Sequence, residues 1–229
     1  MRYYPTFLNL RGRRCLIVGA GDVGCRKLAS LLQAEPDQIV VLDTFARQDV
    51  RNPELARLLD SPAVHYEQRG FADADVQDKA LVFACTGNRT VNAQVSRACD
   101  THGVLCNVAD SPDESGFIVP AHFETDGLVI ALGTGGGSPA LARRIRMDLQ
   151  DYVGQRYSGL LAVMSRLRPL VLALGRDTGQ NTLLFRTIVS SGLMDALCAR
   201  DSAAARDILE DLLPVELHPN IGELLHELV

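Results

Sequence analysis

Several things are missing from this 229-residue sequence, and each absence narrows what it can be. Its six cysteines, Cys15, Cys25, Cys85, Cys99, Cys106 and Cys198, form no Cys-x-x-Cys pair, and no histidine completes a zinc pattern. No resident metal site is therefore expected. Cys15, Cys85 and Cys106 lie inside apolar runs and read as small buried hydrophobes of a reducing compartment. The opening Met-Arg-Tyr-Tyr-Pro is not followed by an apolar run of the kind a secretory signal needs, and no apolar stretch reaches membrane-spanning length. A cytoplasmic protein with no membrane contact is the expectation. Basic residues are not in excess: 23 Lys and Arg stand against 28 Asp and Glu, a net charge of -5, which argues against a nonspecific grip on nucleic acid but leaves room for a local basic patch. The five histidines, His65, His102, His122, His218 and His226, show no ligand spacing; each reads as a surface residue, with His122 the least ordinary. There is no internal repeat and no low-complexity tract.

What is present begins with Arg14-Cys-Leu-Ile-Val-Gly-Ala-Gly-Asp-Val-Gly24. Cys15 to Val18 read as a buried strand running into Gly19-x-Gly21-x-x-Gly24, and Cys25-Arg-Lys-Leu-Ala-Ser-Leu-Leu32 begins a helix. Strand, glycine loop and helix in that order are the context of a dinucleotide-binding fingerprint. Gly19 permits the tight turn, Gly21 lets the backbone approach a pyrophosphate, and Gly24 lets the helix pack closely. The free N–H groups of Asp22 and Val23 then face the phosphates at the helix N-terminus. A second apolar run, Gln38-Ile-Val-Val-Leu42, ends in Asp43, 19 residues beyond Gly24, where a ribose-binding acid belongs. A glycine-rich turn that binds nothing is the competing reading, and this context weighs against it.

Further along, Tyr3 to Leu10 is a short apolar entry with the look of an edge strand. Asn52 to Leu59 has helical spacing, with Asn52 as cap and Pro53 in the first turn. Val64–Gln68, Ala80–Cys85 and Val104–Val108 read as strands, with a helix from about Thr90 to His102 before the last. Strands alternating with helices imply parallel βαβ units with right-handed crossovers, whose ligands sit beyond the carboxyl ends of the strands. The glycine loop, Asp43-Thr44, Thr86-Gly-Asn88 and Asp110 all follow strand ends. From Ser111 the pattern changes: Phe117–Pro120 and Gly127–Leu132 look like two strands joined through His122–Asp126, followed by a helix from Pro139 to about Tyr152, capped by Ser138. A two-stranded unit is marginal alone, so pairing with a second copy is expected. After Val153 only helical spacing remains, at Leu160–Leu174, Thr182–Arg200, Ala203–Leu213 and Ile221–Val229. The expected architecture is α/β, with a parallel-sheet domain over residues 1–112, a small α+β dimerisation region over 113–152 and a helical domain over 153–229.

Two places carry candidate chemistry. Asp110 either caps the turn before Ser111-Pro112 or serves as a general base in the cleft, and spacing alone does not separate these. Gly135-Gly-Gly-Ser-Pro139 offers backbone N–H groups at a helix start, a nest for anions, and Arg143, Arg144 and Arg146 follow within two turns. A flexible loop before a solvated basic face is the plainer reading. In an acidic chain this basic cluster suits a polyanionic small substrate.

Taken together, Gly19-Ala-Gly-Asp-Val-Gly24 with Arg26-Lys27, Ala84-Cys-Thr86, Asn107-Val-Ala-Asp110, Phe117-Ile-Val-Pro120 and Thr134-Gly-Gly-Gly-Ser-Pro-Ala-Leu-Ala-Arg143 resemble the precorrin-2 dehydrogenase family, found also as the N-terminal part of siroheme synthase. The resemblance covers about residues 3 to 150 and implies a homodimer with a Rossmann domain, a dimerisation region and a helical tail. It implies oxidation of precorrin-2 to sirohydrochlorin with NAD, and leaves open whether ferrous iron is inserted as well. Cofactor contacts fall on Asp22, Val23, Asp43 and Thr44, alongside Gly19, Gly21, Gly24, Thr86 and Gly87; the essential acid falls on Asp110. Thr134, Gly135, Gly136, Ser138 and Arg143 are the implied substrate contacts. The sequence departs from the family where Gly133 and Gly137 replace more polar residues, and its length leaves no room for the methyltransferase half of the fused enzymes. Asp43 favours NAD over NADP, since it accepts from a ribose 2′-OH and repels a 2′-phosphate, with Arg47 as a partial offset. Two other classes stay open: a noncatalytic NAD-sensing module, and a chelatase with a vestigial nucleotide site. Precorrin-2 turnover with NAD separates the first from an enzyme, and iron insertion without NAD-dependent oxidation marks the second.

Overall fold

Cys15 to Val18 are each at most 3% exposed, as a strand buried on both faces requires. In a computed structural model describing residues 3–125 and 127–229, this run forms β1 (Arg14–Val18), the middle strand of a parallel sheet. The other strands are β2 (Gln38–Asp43), β3 (Val64–Gln68), β4 (Leu81–Ala84) and β5 (Leu105–Val108), in the order β3-β2-β1-β4-β5. Val18 is in register with Leu42 on one side and Ala84 on the other. Alternate side chains of β1 serve opposite faces. Cys15 and Ile17 pack with Leu28 and Leu31 of α1 (Asp22–Gln33) and Leu55 and Leu58 of α2 (Pro53–Leu58). Leu16 and Val18 pack with Val95, Ala98 and Cys99 of α3 (Arg89–His102). Each such fully buried aliphatic side chain contributes about 1.5–3 kcal/mol over an exposed one.

The helix ends follow local chemistry. Asn52 Oδ1 accepts from the Glu54 and Leu55 N–H groups at 3.0 and 3.2 Å, starting α2 with Pro53 at its first position. Asn88 caps α3 in the same way, and Gly103 at φ +65° ends it. α1 starts three residues earlier than its apolar spacing predicts, so Asp22, Val23 and Gly24 belong to its first turn and Gly21 is its extended N-cap.

The described chain divides into two compact units, one ending at Val119 and the other running from Pro120 to Val229. In the second, β6 (Ala121–Thr125) and β7 (Leu128–Leu132) form an antiparallel pair, turning through Gly127 at φ +81°. α4 (Pro139–Ala173) packs against β6. It is followed by α5 (Thr178–Ser190), α6 (Leu193–Cys198), α7 (Ser202–Leu212) and the short α8 (Ile221–Leu224). Leu160, Val163, Leu167 and Val171 of α4 meet Ile188, Leu193, Leu209 and Ile221 in one apolar core.

Five further elements differ from the expectation, one of them the last helix, expected over Ile221–Val229 and ending at Leu224. Tyr3–Leu10 joins neither sheet: Tyr4 and Phe7 are 86% and 71% exposed, Pro5 lacks an N–H, and Asn9 Oδ1 accepts from the Arg11 N–H in a turn. Phe117–Pro120 is extended but unpaired, and the strand falls on Ala121–Thr125 instead, over the expected connection. Asp126, at the end of that connection, lies outside the described residues, as do Met1 and Arg2. The helix expected to stop near Tyr152 runs on to Ala173 through Gly154 and Pro169, because the buried stripe Val153–Leu160–Val163–Leu167–Val171 continues at helical spacing. At about 1.5 Å per residue its 35 residues span about 52 Å. The single helix expected over Thr182–Arg200 is broken at Ser191-Gly192. Among the described residues no helix is long and apolar enough to cross a membrane.

Candidate functional site

All five strands of the first sheet run parallel, so their carboxyl ends share one edge. The strand order reverses direction between β1 and β4, which opens a crevice there. Gly19, just past β1, has φ +102° and donates its N–H to Leu42 O at 2.8 Å. A Cβ at Gly19 would lie 2.7 Å from the Cys85 carbonyl and the Thr86 nitrogen, so only glycine lets the β1 and β4 turns approach this closely. A Cβ at Gly24 would lie 2.0 Å from Gly19 O, which welds α1 to the loop. At Gly21 a Cβ would meet nothing within 4 Å. The space before the free N–H groups of Asp22 and Val23 is therefore open, as a pyrophosphate at a helix N-terminus requires.

Asp43 closes the other side of this loop. Its Oδ2 accepts from the Ala20 N–H at 2.6 Å and its Oδ1 from the Phe45 N–H at 3.1 Å. A carboxylate has about four acceptor positions, so two remain for a ligand hydroxyl. The cleft alongside has a volume of about 280 Å³ and is lined by Gly21, Asp22, Asp43, Phe45, Arg51 and Tyr66 among others. Tyr66 donates its hydroxyl to Phe45 O at 2.8 Å; burial, and then the nearby Asp43 and Asp49 carboxylates, push its phenol above the usual range and keep it protonated. Thr44 is exposed next to Asp43. Arg47, expected to offset the charge of Asp43, is instead paired with Asp60 at 2.5 Å and donates to Leu59 O at 3.1 Å. Arg51, and not Arg47, is among the residues that line the cleft.

Beyond β4 and β5 a second polar group assembles. Asn92, on α3, is 1% exposed. Its Oδ1 accepts from the Thr86 N–H at 3.1 Å and the Thr86 hydroxyl at 2.7 Å, and its Nδ2 donates to Thr86 O at 3.0 Å and to Asp110 Oδ1 at 3.1 Å. Gly87 follows in the turn to Asn88, which itself donates to the Thr86 hydroxyl at 3.2 Å. Asp110 is exposed, and the bend after β5 is held by Ser115, whose Oγ accepts from the Val108 N–H and donates toward the Val108 and Ser111 carbonyls. The carboxylate of Asp110 is thus tied to Asn92, while Ser115 secures the turn. Burial pushes the Cys85 thiol up to about 11, against the pull of Lys27, so it stays protonated and is no nucleophile. Lys27 lies over the Phe83 ring at 5.4 Å, and burial holds its ammonium below the usual lysine range.

In the second unit, Thr134 and Ser138 shape the loop before α4. The Ser138 N–H donates to Thr134 Oγ1 at 3.2 Å, Thr134 Oγ1 donates to Ser138 O at 3.2 Å, and the Gly137 N–H donates to Thr134 O at 3.0 Å. Gly135 and Gly136 take φ +62° and +89°. Ser138 Oγ caps α4 by accepting from the Leu141 N–H at 3.2 Å. Of the three arginines, Arg144 pairs with Asp148 and Arg146 donates to Gln150. Arg143 is exposed and has no hydrogen bond or ion pair among the described residues, which leaves its fork available to an anion.

The sequence reading missed Asn92, Arg51 and Tyr66. Asn92 did leave a signal: an amide on the same face of α3 as Val95 and Cys99 is a polar group at a core position and needs partners. Arg51 left none, since which of two nearby arginines lies along the cleft depends on where Asp60 holds Arg47.

Comparison with known proteins agrees with this geometry. A family model described as "Putative NAD(P)-binding" matches residues 6–121. The siroheme synthase of Thioalkalivibrio sulfidiphilus (strain HL-EbGR7) is 33% identical over 217 residues, covering 95% of this chain and 43% of that protein. The siroheme synthase of Chromobacterium violaceum (strain ATCC 12472) is 34% identical over 210 residues, covering 92% and 43%. The chain thus spans somewhat under half the length of these relatives. A solved structure titled "SirC, precorrin-2 dehydrogenase" superposes with a TM-score of 0.72 at 22% identity, covering 92% of this chain and 98% of that one, a likeness of fold. With the glycine loop, Asp43 and the open helix N-terminus inside the matched residues, the chain belongs to this NAD(P)-binding family.

Proposed function

We propose that the chain oxidises precorrin-2 to sirohydrochlorin with NAD, as a dehydrogenase of siroheme biosynthesis. The observation that carries the proposal is the pairing of two features on one sheet edge: the nucleotide loop stapled by Asp43, and a carboxylate, Asp110, held by a buried amide at the end of β5. The names of the similar proteins, siroheme synthase and precorrin-2 dehydrogenase, support the choice of substrate.

Gly19, Gly21 and Gly24 shape the phosphate end, the N–H groups of Asp22 and Val23 receive the pyrophosphate, and Asp43 with Thr44 receives the ribose, with Thr86 and Gly87 as further contacts from the turn after β4, beside Gly19. When bound, the nicotinamide supplies the hydride acceptor. Asp110, as its carboxylate, takes a proton that the oxidation releases from the macrocycle, directly or through a water. Thr134, Gly135, Gly136, Ser138 and Arg143 bind substrate carboxylates; the unpaired guanidinium of Arg143 and the two left-handed glycines support this role. Residues 113–152 form the dimer contact: among the described residues β6 and β7 pair only with each other, and Val129, Leu141 and Met147 in this segment are 40%, 52% and 46% exposed. Light scattering at micromolar concentration should give a dimer, and a monomer would remove this part of the proposal. Six free cysteines support a reducing, cytoplasmic setting. Ferrous iron is a candidate second substrate, because its insertion also requires loss of pyrrole N–H protons, which Asp110 would accept; purified sirohydrochlorin with ferrous iron tests that step.

The deciding experiment for the oxidation is spectroscopic. Precorrin-2 with NAD and the protein should develop the sirohydrochlorin absorbance together with NADH. A protein that binds NAD and leaves precorrin-2 unchanged would instead be a nucleotide sensor.

A further inference from the structure

We infer that Asn92 is a positioning residue for Asp110, fixing which way its carboxylate faces; this rests on the role proposed for Asp110 above. A side-chain amide has two acceptor and two donor positions, and in Asn92 all four are used. Three of the four bonds go to Thr86, to its N–H, its hydroxyl and its carbonyl oxygen. These three fix the amide's orientation. Turned over, it would set its oxygen against the Thr86 carbonyl and the Asp110 carboxylate, and its NH₂ against the Thr86 N–H, inside a site where unpaired polar groups are costly. The fourth position is therefore always a donor, and it is aimed at Asp110 Oδ1 at 3.1 Å.

Asp110 needs such a constraint. It is exposed, it follows the last strand of the sheet, and the turn around it is secured by Ser115 rather than by its own side chain. A carboxylate in that place would otherwise move among rotamers. Anchoring Oδ1 leaves Oδ2, which has no partner among the described residues, as the oxygen that meets a substrate proton. The same amide is bonded to the Thr86 backbone, at the turn whose atoms lie against Gly19. Asn92 thereby ties the acid to the strand end that faces the nucleotide loop, and a shift of either would be felt by the other. Small displacements of a catalytic group cost one to two orders of magnitude in rate.

A double-mutant cycle separates this role from that of a mere structural rivet. Asn92→Ala should lower kcat by about ten- to a hundredfold with NAD affinity kept within about threefold. In an Asp110→Ala background the same change should cost less than about twofold, because the residue it acts through is gone. Equal losses in both backgrounds would overturn the inference. Should Asn92→Ala fold poorly, Asn92→Asp keeps the shape and the acceptor for Thr86 and replaces only the donor. It should slow turnover by at least tenfold and lower the unfolding midpoint at neutral pH, through the like charge of Asp110 and through the carboxylate oxygen now facing Thr86 O; adding Asp110→Asn should raise the midpoint of the Asn92→Asp protein by more than any gain it gives the wild type. An Asp110→Asn change in midpoint that is the same in the Asn92→Asp and wild-type backgrounds would show that residues 92 and 110 are not coupled, and would overturn the inference without any use of activity. A wild-type protein that leaves precorrin-2 unchanged would defeat the dehydrogenase proposal, and the unfolding cycle would then decide on the contact alone.

Discussion

In the loop after β1, a methyl group placed on Gly24 would lie 2.0 Å from the Gly19 carbonyl oxygen, and one on Gly19 would lie 2.7 Å from the backbone of Cys85 and Thr86. In the loop after β7, a methyl group on Gly135 or Gly136 would meet nothing within 4 Å, and those residues need glycine only for their φ of +62° and +89°. The two loops look alike in composition but satisfy different demands. The first is a packed joint in which three backbone segments touch; the second is an open nest whose geometry is set by the Thr134–Ser138 bonds. A packed joint resists any added atom, while an open nest charges only for the backbone conformation.

Substitutions should expose that difference. Gly24→Ala drives a methyl group into backbone that has nowhere to move; we expect destabilisation of about 3 kcal/mol or more and loss of NAD binding, read by denaturant unfolding and calorimetry. Asp43→Ala removes the acceptor for the Ala20 N–H and the ribose acid at once, and should weaken NAD binding by tenfold or more with the fold retained. NAD should bind more tightly than NADP in the wild type, and titration with both cofactors checks this; a preference for NADP would contradict the ribose role of Asp43. In the same titrations Arg51→Ala should widen the preference for NAD, since Arg51 lines the cleft, whereas Arg47→Ala should leave it unchanged, since Arg47 is held by Asp60. The smallest effect belongs to the open loop: Gly136→Ala should cost only about 1–2 kcal/mol, the strain of a left-handed residue, and leave NAD affinity as it was. If Gly24→Ala and Gly136→Ala were equally mild, the contrast between the loops would fail.

The same contrast explains what could be read from the residues alone. The first sheet was legible because its signals are local: continuous apolar runs at Cys15–Val18 and Leu81–Ala84, an Asn cap followed by proline at residues 52–53, and a glycine motif in register with Asp43. Tyr3–Leu10 has the apolar content of a strand, but Pro5 and the Asn9 turn keep it from pairing. The length of α4 was hidden because Gly154 falls between two helical runs, Pro139–Tyr152 and Leu160–Leu174, and only the core along the buried stripe joins them into one helix. In the site, Asp43 and Asp110 were legible as acids at strand ends. The partners that determine their geometry, the Ala20 N–H and Asn92, were not, because each contact joins residues 23 and 18 positions apart that only the sheet brings together.

The proposed reaction divides its labour: the glycine loop and Asp43 would hold the nucleotide, and Asp110 would move the proton. The most direct test measures both in the same variants. Asp110→Ala and Asp110→Asn should bind NAD with near-normal affinity and oxidise precorrin-2 at a rate lowered by about 10²-fold or more. If both variants keep wild-type turnover, Asp110 is a turn residue and the proposed chemistry is wrong.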